Sequence, residues 1–102
     1  MITKNDASAI LNNYLDREHP HHHGASQIVI NDDVIECRDG WIFTYTTMAF
    51  HRTRDPRHAM IGAGPVLVLR ESGKVVEFTS AFSKERAQAE YEANPHMFRV
   101  RG

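Results

Sequence analysis

Three predicted strands in the middle of the chain restrict its fold more than any other feature. Residues 41–47 alternate, so that three aromatic side chains fall on one face of a strand and an isoleucine and two threonines fall on the other. A continuous apolar strand is predicted at 66–69, and the Ser72-Gly73 turn leads into a further strand at 75–79. This pattern is typical of an antiparallel sheet with one covered face and one partly solvated face.

Shorter strand signals precede this region. The β-branched residues at 27–30 and 34–37, separated by Asn31-Asp32-Asp33, predict either one interrupted strand or two short ones. The dipeptide Asp39-Gly40 predicts a type I′ hairpin turn, because both central residues of that turn need positive φ.

A helix is predicted at each end of the chain. The first spans residues 4–17 and is capped by Thr3, with Asp6 completing a capping box. The second spans residues 84–93, is capped by Ser83 and ends before Pro95. We therefore predict an α+β fold in which the N-terminal and C-terminal helices cover one face of a sheet of about four strands. The tail at 97–101 could add a short edge strand or stay loose.

Composition limits the classes of function. A chain of 102 residues is expected to form a single domain, residues 1–102. The net charge of −1 argues against a nucleic-acid partner, and the apolar run at 59–69 is too short and too interrupted to cross a membrane. The single cysteine, Cys37, permits no internal disulfide, which fits a cytoplasmic location.

The long connection at 48–64 holds the main candidate binding surface. We expect a helical turn within it, with Asp55 as cap, Pro56 at the first position and Gly62 at its end. Its arginines suit recognition of carboxylate or phosphate groups, although they could equally pair with carboxylates nearby such as Asp55. An acidic patch between the first two strands could contact a basic surface, or simply serve the turn. The candidate partner-binding residues are Arg52, Arg54, Asp55, Arg57, His58, Asp32 and Asp33.

The remaining motifs favour structural roles. The histidines at 19 and 21–23 could chelate a divalent metal, but no accompanying ligand motif fixes a geometry, so we predict a surface loop and no cofactor. Cys37 is expected to be a buried small apolar residue and Trp41 a core residue. No nucleophile or acid–base pair can be located from spacing, so we predict a protein that is not an enzyme.

Several strings in the chain together resemble one known family. The chain is similar to the immunity protein 35 family, also called YrhB-like domains, over nearly its whole length. The motifs that carry the resemblance are Glu36-x-x-x-Gly40-Trp41-Ile42-Phe43, Phe50, Arg52-Thr53-x-Asp55, Gly62-x-x-Pro65-Val66-Leu67-Val68, Ser72-Gly73 and Glu90-Tyr91. The chain departs from the family pattern in its histidine-rich loop and at Arg54, where a glycine would be expected.

This resemblance implies a bacterial, cytoplasmic α+β protein that holds a cognate toxin inactive. Members are predicted immunity proteins of polymorphic or contact-dependent toxin systems, type VI secretion included, and the family has no assigned catalytic residues. Some relatives are described instead as small chaperone-like proteins that bind client proteins. Pairing of edge strands between two copies would give a homodimer, which the sequence leaves open.

Overall fold

The structure, a computed structural model, describes residues 1–20, 24–60 and 63–101. Within these ranges the helices are α1 (Lys4–Glu18), α2 (Met48–Thr53) and α3 (Lys84–Ala93). The strands in the same ranges are β1 (Ile28–Ile30), β2 (Ile35–Cys37), β3 (Gly40–Phe43), β4 (Tyr45–Thr47), β5 (Val66–Leu69), β6 (Val75–Glu77) and β7 (Val100–Arg101). The predicted α+β class and the helix at each end of the chain are confirmed.

The strands of the described residues form two antiparallel sheets, one of β1 and β4 and one in the order β2-β3-β5-β6-β7. The prediction of a single sheet of about four strands was therefore too simple. The predicted strand at 41–47 is interrupted at Thr44, and its second half pairs with β1 rather than with β5. The two strand signals before it are two separate strands, one in each sheet, and the tail does add an edge strand.

Both terminal helices begin at the predicted caps. The Thr3 hydroxyl accepts the backbone N–H of Asp6 at 3.2 Å, and the Asp6 carboxylate accepts the backbone N–H of Thr3 at 3.0 Å. These hydrogen bonds stabilise the ionised carboxylate and lower the pKa of Asp6. At α3 the Ser83 hydroxyl accepts the backbone N–H of Arg86 at 3.1 Å. The capping chemistry read from the sequence thus sets both helix starts.

The prediction that both helices cover one face of the sheet was wrong. Residues of α1 pack with Trp41, Phe43 and neighbouring valines on one face. Residues of α3 pack on the opposite face, where Ile42 and Leu67 are fully buried. The physical reason lies in the strands themselves: a run such as 66–69 is apolar on both sides of the pleat and needs a cover on each. The face expected to be partly solvated is therefore a second core.

The turn between β2 and β3 also differs from the prediction. Cys37 pairs with Gly40, so the loop residues are Arg38 and Asp39, and neither Asp39 nor Gly40 has positive φ. Gly40 is needed for a different reason, because a Cβ there would overlap the carbonyl group of Val68 on β5. The Ser72-Gly73 turn is confirmed, with Gly73 at φ 72°.

Replacement of Gly40 by alanine should destabilise the protein strongly. The added methyl group would push β3 away from β5 at the centre of the sheet, which we expect to lower the free energy of unfolding by more than about 2 kcal/mol. Gly24→Ala is the matched control, since Gly24 has φ 61° but open space around it, so that only the backbone cost of about 1–2 kcal/mol applies. Urea denaturation of both variants measures the difference, and equal losses would contradict this account of Gly40.

A polar cluster attaches the tail to the rest of the fold. The Tyr14 hydroxyl donates to the Glu77 carboxylate at 2.7 Å. Arg101 of β7 lies 3.2 Å from Glu77 and 3.8 Å from Glu18. Burial and, second, the hydrogen bond to Glu77 raise the pKa of Tyr14 to about 12. The cluster therefore links the end of α1 to the two strands at that edge of the sheet.

This cluster predicts a loss of stability at alkaline pH. The folded chain holds the Tyr14 proton more tightly than the unfolded chain, whose pKa is near 10.0. Its contribution is therefore complete below pH 10.0 and is lost as the pH rises through about 12. Tyr14→Phe should lower the free energy of unfolding by about 1 kcal/mol at neutral pH and make its alkaline decline shallower. Urea denaturation as a function of pH tests this, and an unchanged decline would contradict it.

Candidate functional site

The connection between β4 and β5 begins with α2, a helix that the sequence analysis did not predict. The Thr47 hydroxyl caps it by accepting the backbone N–H of Phe50 at 3.1 Å. The same hydroxyl donates to the carbonyl oxygen of His58 at 2.7 Å, and Thr47 is buried. The Thr47 side chain thus attaches the start and the end of a charged segment, residues 48–58, to the end of β4.

The helical turn expected later in this connection is present. Pro56–His58 form a 3₁₀ turn, and the Asp55 carboxylate caps it by accepting the backbone N–H of Arg57 at 3.0 Å. The turn ends at His58, earlier than predicted, and Gly62 lies outside the described residues.

Asp55 and Arg57 neutralise one another. The Arg57 guanidinium lies 2.6 Å from the Asp55 carboxylate and makes further hydrogen bonds to it through Nε. These bonds lower the pKa of Asp55, with the Arg57 side chain as the main cause. The interpretation that loop arginines pair with nearby carboxylates therefore holds for Arg57. An exposed pair of this kind adds little stability but removes most of the net charge that Arg57 would offer a partner.

Arg52 and Arg54 remain available. Both are exposed, and neither lies within ion-pair distance of a carboxylate among the residues that the structure describes. The guanidinium of Arg54 lies over the ring of Phe50, 5.8 Å from its centroid. The segment therefore presents two guanidinium groups whose hydrogen-bond donors no described carboxylate uses.

The backbone of Arg54 explains why a glycine is expected at this position. Arg54 follows α2 with φ 58°, the left-handed conformation, and is the one non-glycine residue with positive φ in the described ranges. Its N–H donates to the carbonyl oxygen of Phe50 at 2.8 Å, which satisfies the helix end through the backbone alone. A residue with a Cβ costs about 1–2 kcal/mol in this conformation, whereas glycine adopts it freely.

The acidic residues of the β1–β2 turn are in different states. The Asp33 carboxylate pairs with Lys84 of α3, whose Nζ also donates to the Asp33 carbonyl oxygen at 3.0 Å. Asp32 is exposed and has no cationic partner among the described residues. Two hydrogen bonds from Asn31 to Thr44, one from its backbone and one from its side chain, both of 2.9 Å, hold this turn beside the break between β3 and β4.

An open cleft of about 340 Å³ joins the two charged patches. Arg54 lines the cleft together with Asp32 and Asp33, so groups of both signs of charge border it. The cleft does not include the other proposed contacts in 52–58, which lie outside it on the same segment. The residues that line the cleft are Asn31, Asp32, Asp33, Thr44, His51 and Arg54.

The sequence analysis did not select Asn31, Thr44 or His51. His51 is partly buried, and its Nδ1 is shielded from solvent without a hydrogen-bond partner in the described part of the chain. Its place inside α2 could not be recognised from the sequence, because α2 itself was not predicted. Thr44 carried no such signal, because its role depends on where the strand breaks.

Over the residues that the structure describes, no cluster of three or more His, Cys, Asp or Glu side chains could hold a metal ion. The histidines at 21–23 lie outside those residues. None of the helices in the described ranges combines the length and the apolar character that a membrane crossing requires.

Cys37 is buried, as predicted, with Sγ 3.4 Å from the carbonyl oxygen of Gly40. Burial raises the pKa of its thiol, which disfavours the reactive thiolate. In the native protein, Cys37 should therefore react with a thiol reagent at least about tenfold more slowly than in the urea-unfolded protein. A native rate equal to the unfolded rate would contradict this structural role.

Comparison with known proteins gives one match. The sequence profile of the immunity protein 35 family matches residues 5–94 of the 102-residue chain. No curated protein and no solved structure matches the chain. Because the match covers α1 to the end of α3, the chain belongs to the immunity protein 35 family, as the resemblance implied.

Proposed function

We propose that this protein binds a cognate bacterial toxin stoichiometrically and neutralises it without catalysis. Family membership supports the class of function, since the family name denotes immunity in toxin–immunity systems. The observation that points to a surface is that Arg52 and Arg54 have no carboxylate partner among the described residues. Arg54 also lines a cleft together with Asp32. The lone cysteine supports a cytoplasmic location, where the toxin would be met.

The proposed surface has features that suit a protein partner. It is charged and exposed, and its backbone is fixed by Thr47 and by the Asp55 cap, so little ordering of the segment is needed on binding. Uncompensated positive charge on one side and Asp32 on the other would favour one orientation of the toxin and speed the encounter. Neutralisation would follow when the bound protein covers the toxin's active site or the path of its substrate.

The candidate contacts differ in their expected weight. Arg52, Arg54 and Asp32 are unpaired among described residues and are proposed as the main contacts. Asp55 and Arg57 pair with each other and are proposed to shape the surface more than to charge it. The further proposed contacts are His58, at the end of the 3₁₀ turn, and Asp33, which Lys84 already partly neutralises.

Reversal of both unpaired arginines should weaken binding. Arg52→Glu combined with Arg54→Glu is expected to lower the association rate constant for the cognate toxin, to be sought among the products of neighbouring genes, by about tenfold or more at low salt. Biolayer interferometry measures the rate, and survival of toxin-expressing cells measures neutralisation. Lys74→Glu combined with Arg99→Glu is the matched control, because it reverses two exposed charges at the β5–β6 turn and beside β7.

The outcomes separate the surface from the function. Equal effects of the two double variants would reject this surface while leaving toxin binding intact. Absence of binding and of protection by the wild-type protein would reject the function itself. If such a protein suppressed aggregation of unrelated unfolded proteins, the chaperone-like alternative would replace it.

A further inference from the structure

The left-handed backbone of Arg54 closes α2, but this role makes no use of the arginine side chain. The end of α2 is closed by the backbone N–H of residue 54, which any residue but proline would supply. Glycine would adopt φ 58° without the crowding that a Cβ brings. The chain therefore has an arginine at a position where the backbone conformation favours glycine.

The contacts of the Arg54 side chain contribute little to the stability of the fold. Its guanidinium lies 5.8 Å from the centroid of the Phe50 ring, near the outer limit of a cation–π contact. Its charge is favourable at the end of a helix, but a helix of two turns has a weak and solvent-screened dipole. No carboxylate of the described residues lies within ion-pair distance of it. A strained, exposed and unpaired arginine is better explained by an external partner.

The cleft indicates the chemistry of that partner. Arg54 lines it together with Asp32 and Asp33, so an occupant with one sign of charge alone would be repelled by the lining groups of that sign. His51 lines the same cleft, and its Nδ1 is a shielded polar atom without a partner in the described part of the chain. Because that atom is shielded, a group in the cleft would reach it only if the His51 ring turned, so the charges of Arg54, Asp32 and Asp33 decide the chemistry of the occupant.

We infer that Arg54 is a specificity-determining residue of the toxin-binding surface, and that its guanidinium forks onto a carboxylate side chain of the toxin at the mouth of the cleft. A basic neighbour of that carboxylate would meet Asp32. The inference rests on the proposed toxin binding and adds to it the position and the charge of the recognised group. Toxins without the carboxylate would leave the guanidinium unpaired in the interface, and a cation there would be repelled.

The test replaces Arg54 by glycine, which removes the side chain and relieves the backbone strain, and compares the effect on stability with the effect on toxin binding. Arg54→Gly should leave the melting temperature within about 4 °C of wild type, since the gain in backbone freedom offsets the lost contacts. The same variant should raise the Kd for the cognate toxin by roughly tenfold to a hundredfold. Arg54→Gln keeps the Cβ and a polar side chain but removes the charge and the guanidinium group, and it should lose as much affinity as Arg54→Gly. The Kd of Arg54→Lys should lie between that of wild type and those of the other two variants, because lysine keeps the charge but cannot make the two parallel hydrogen bonds of a guanidinium.

Arg99→Gln is the matched control, since Arg99 is exposed and lies outside the proposed surface, and the Kd of this variant should differ from wild type by less than about threefold. If Arg54→Gly and Arg54→Gln bind within about twofold of wild type, the inference is overturned while toxin binding stands. If Arg54→Gly unfolds, Arg54→Gln and Arg54→Lys still decide the outcome. A wild-type protein that binds no toxin overturns both proposals.

Discussion

The antiparallel pairing of β3 with β5 is the interaction on which the rest of the structure depends. Trp41 and Phe43 pair with valines of β5, while Ile42 pairs with Leu67, and all of these side chains are buried. The pair is therefore apolar on both faces, and burying only one face would leave a row of large aliphatic groups in water. A helix on each side is the solution that this chain adopts, and the close approach at Gly40 makes it attainable.

Much of the fold followed from local chemistry that needs no distant partner. The caps at Thr3 and Ser83, the turn at Gly73 and the apolar run at 66–69 each act over a few residues, so the sequence alone indicates them. The placement of α3 could not be predicted in the same way. The sequence analysis placed Ile42 on the same strand face as the two threonines that follow it, so that face was expected to be partly solvated. Only the register with β5 shows that Ile42 lies beside the apolar Leu67.

The sequence indicated several residues of the candidate site but not how they are arranged in space. Charged residues in a long connection indicated a contact surface, and the structure shows which of them are already paired with each other. Asp32 and Arg54 are far apart in sequence, and they line one cleft because β1 pairs with β4 directly before α2. That pairing depends on the break of a strand at Thr44, which propensity does not reveal. The helix α2 is so short that its apolar spacing gives no clear period, and its cap at Thr47 lay inside a predicted strand.

The anchoring of the charged segment by a single hydroxyl has an evolutionary meaning. Thr47 lies at the end of a strand and binds the segment at Phe50 and at His58 through backbone groups only. Backbone groups are the same whatever the side chains are, so the residues between them can diverge without repacking either face of the large sheet. The side chains of this segment can therefore change while its backbone keeps the same attachment to Thr47. If the segment binds a toxin as proposed, its side chains could change with the toxin while the rest of the fold stays the same.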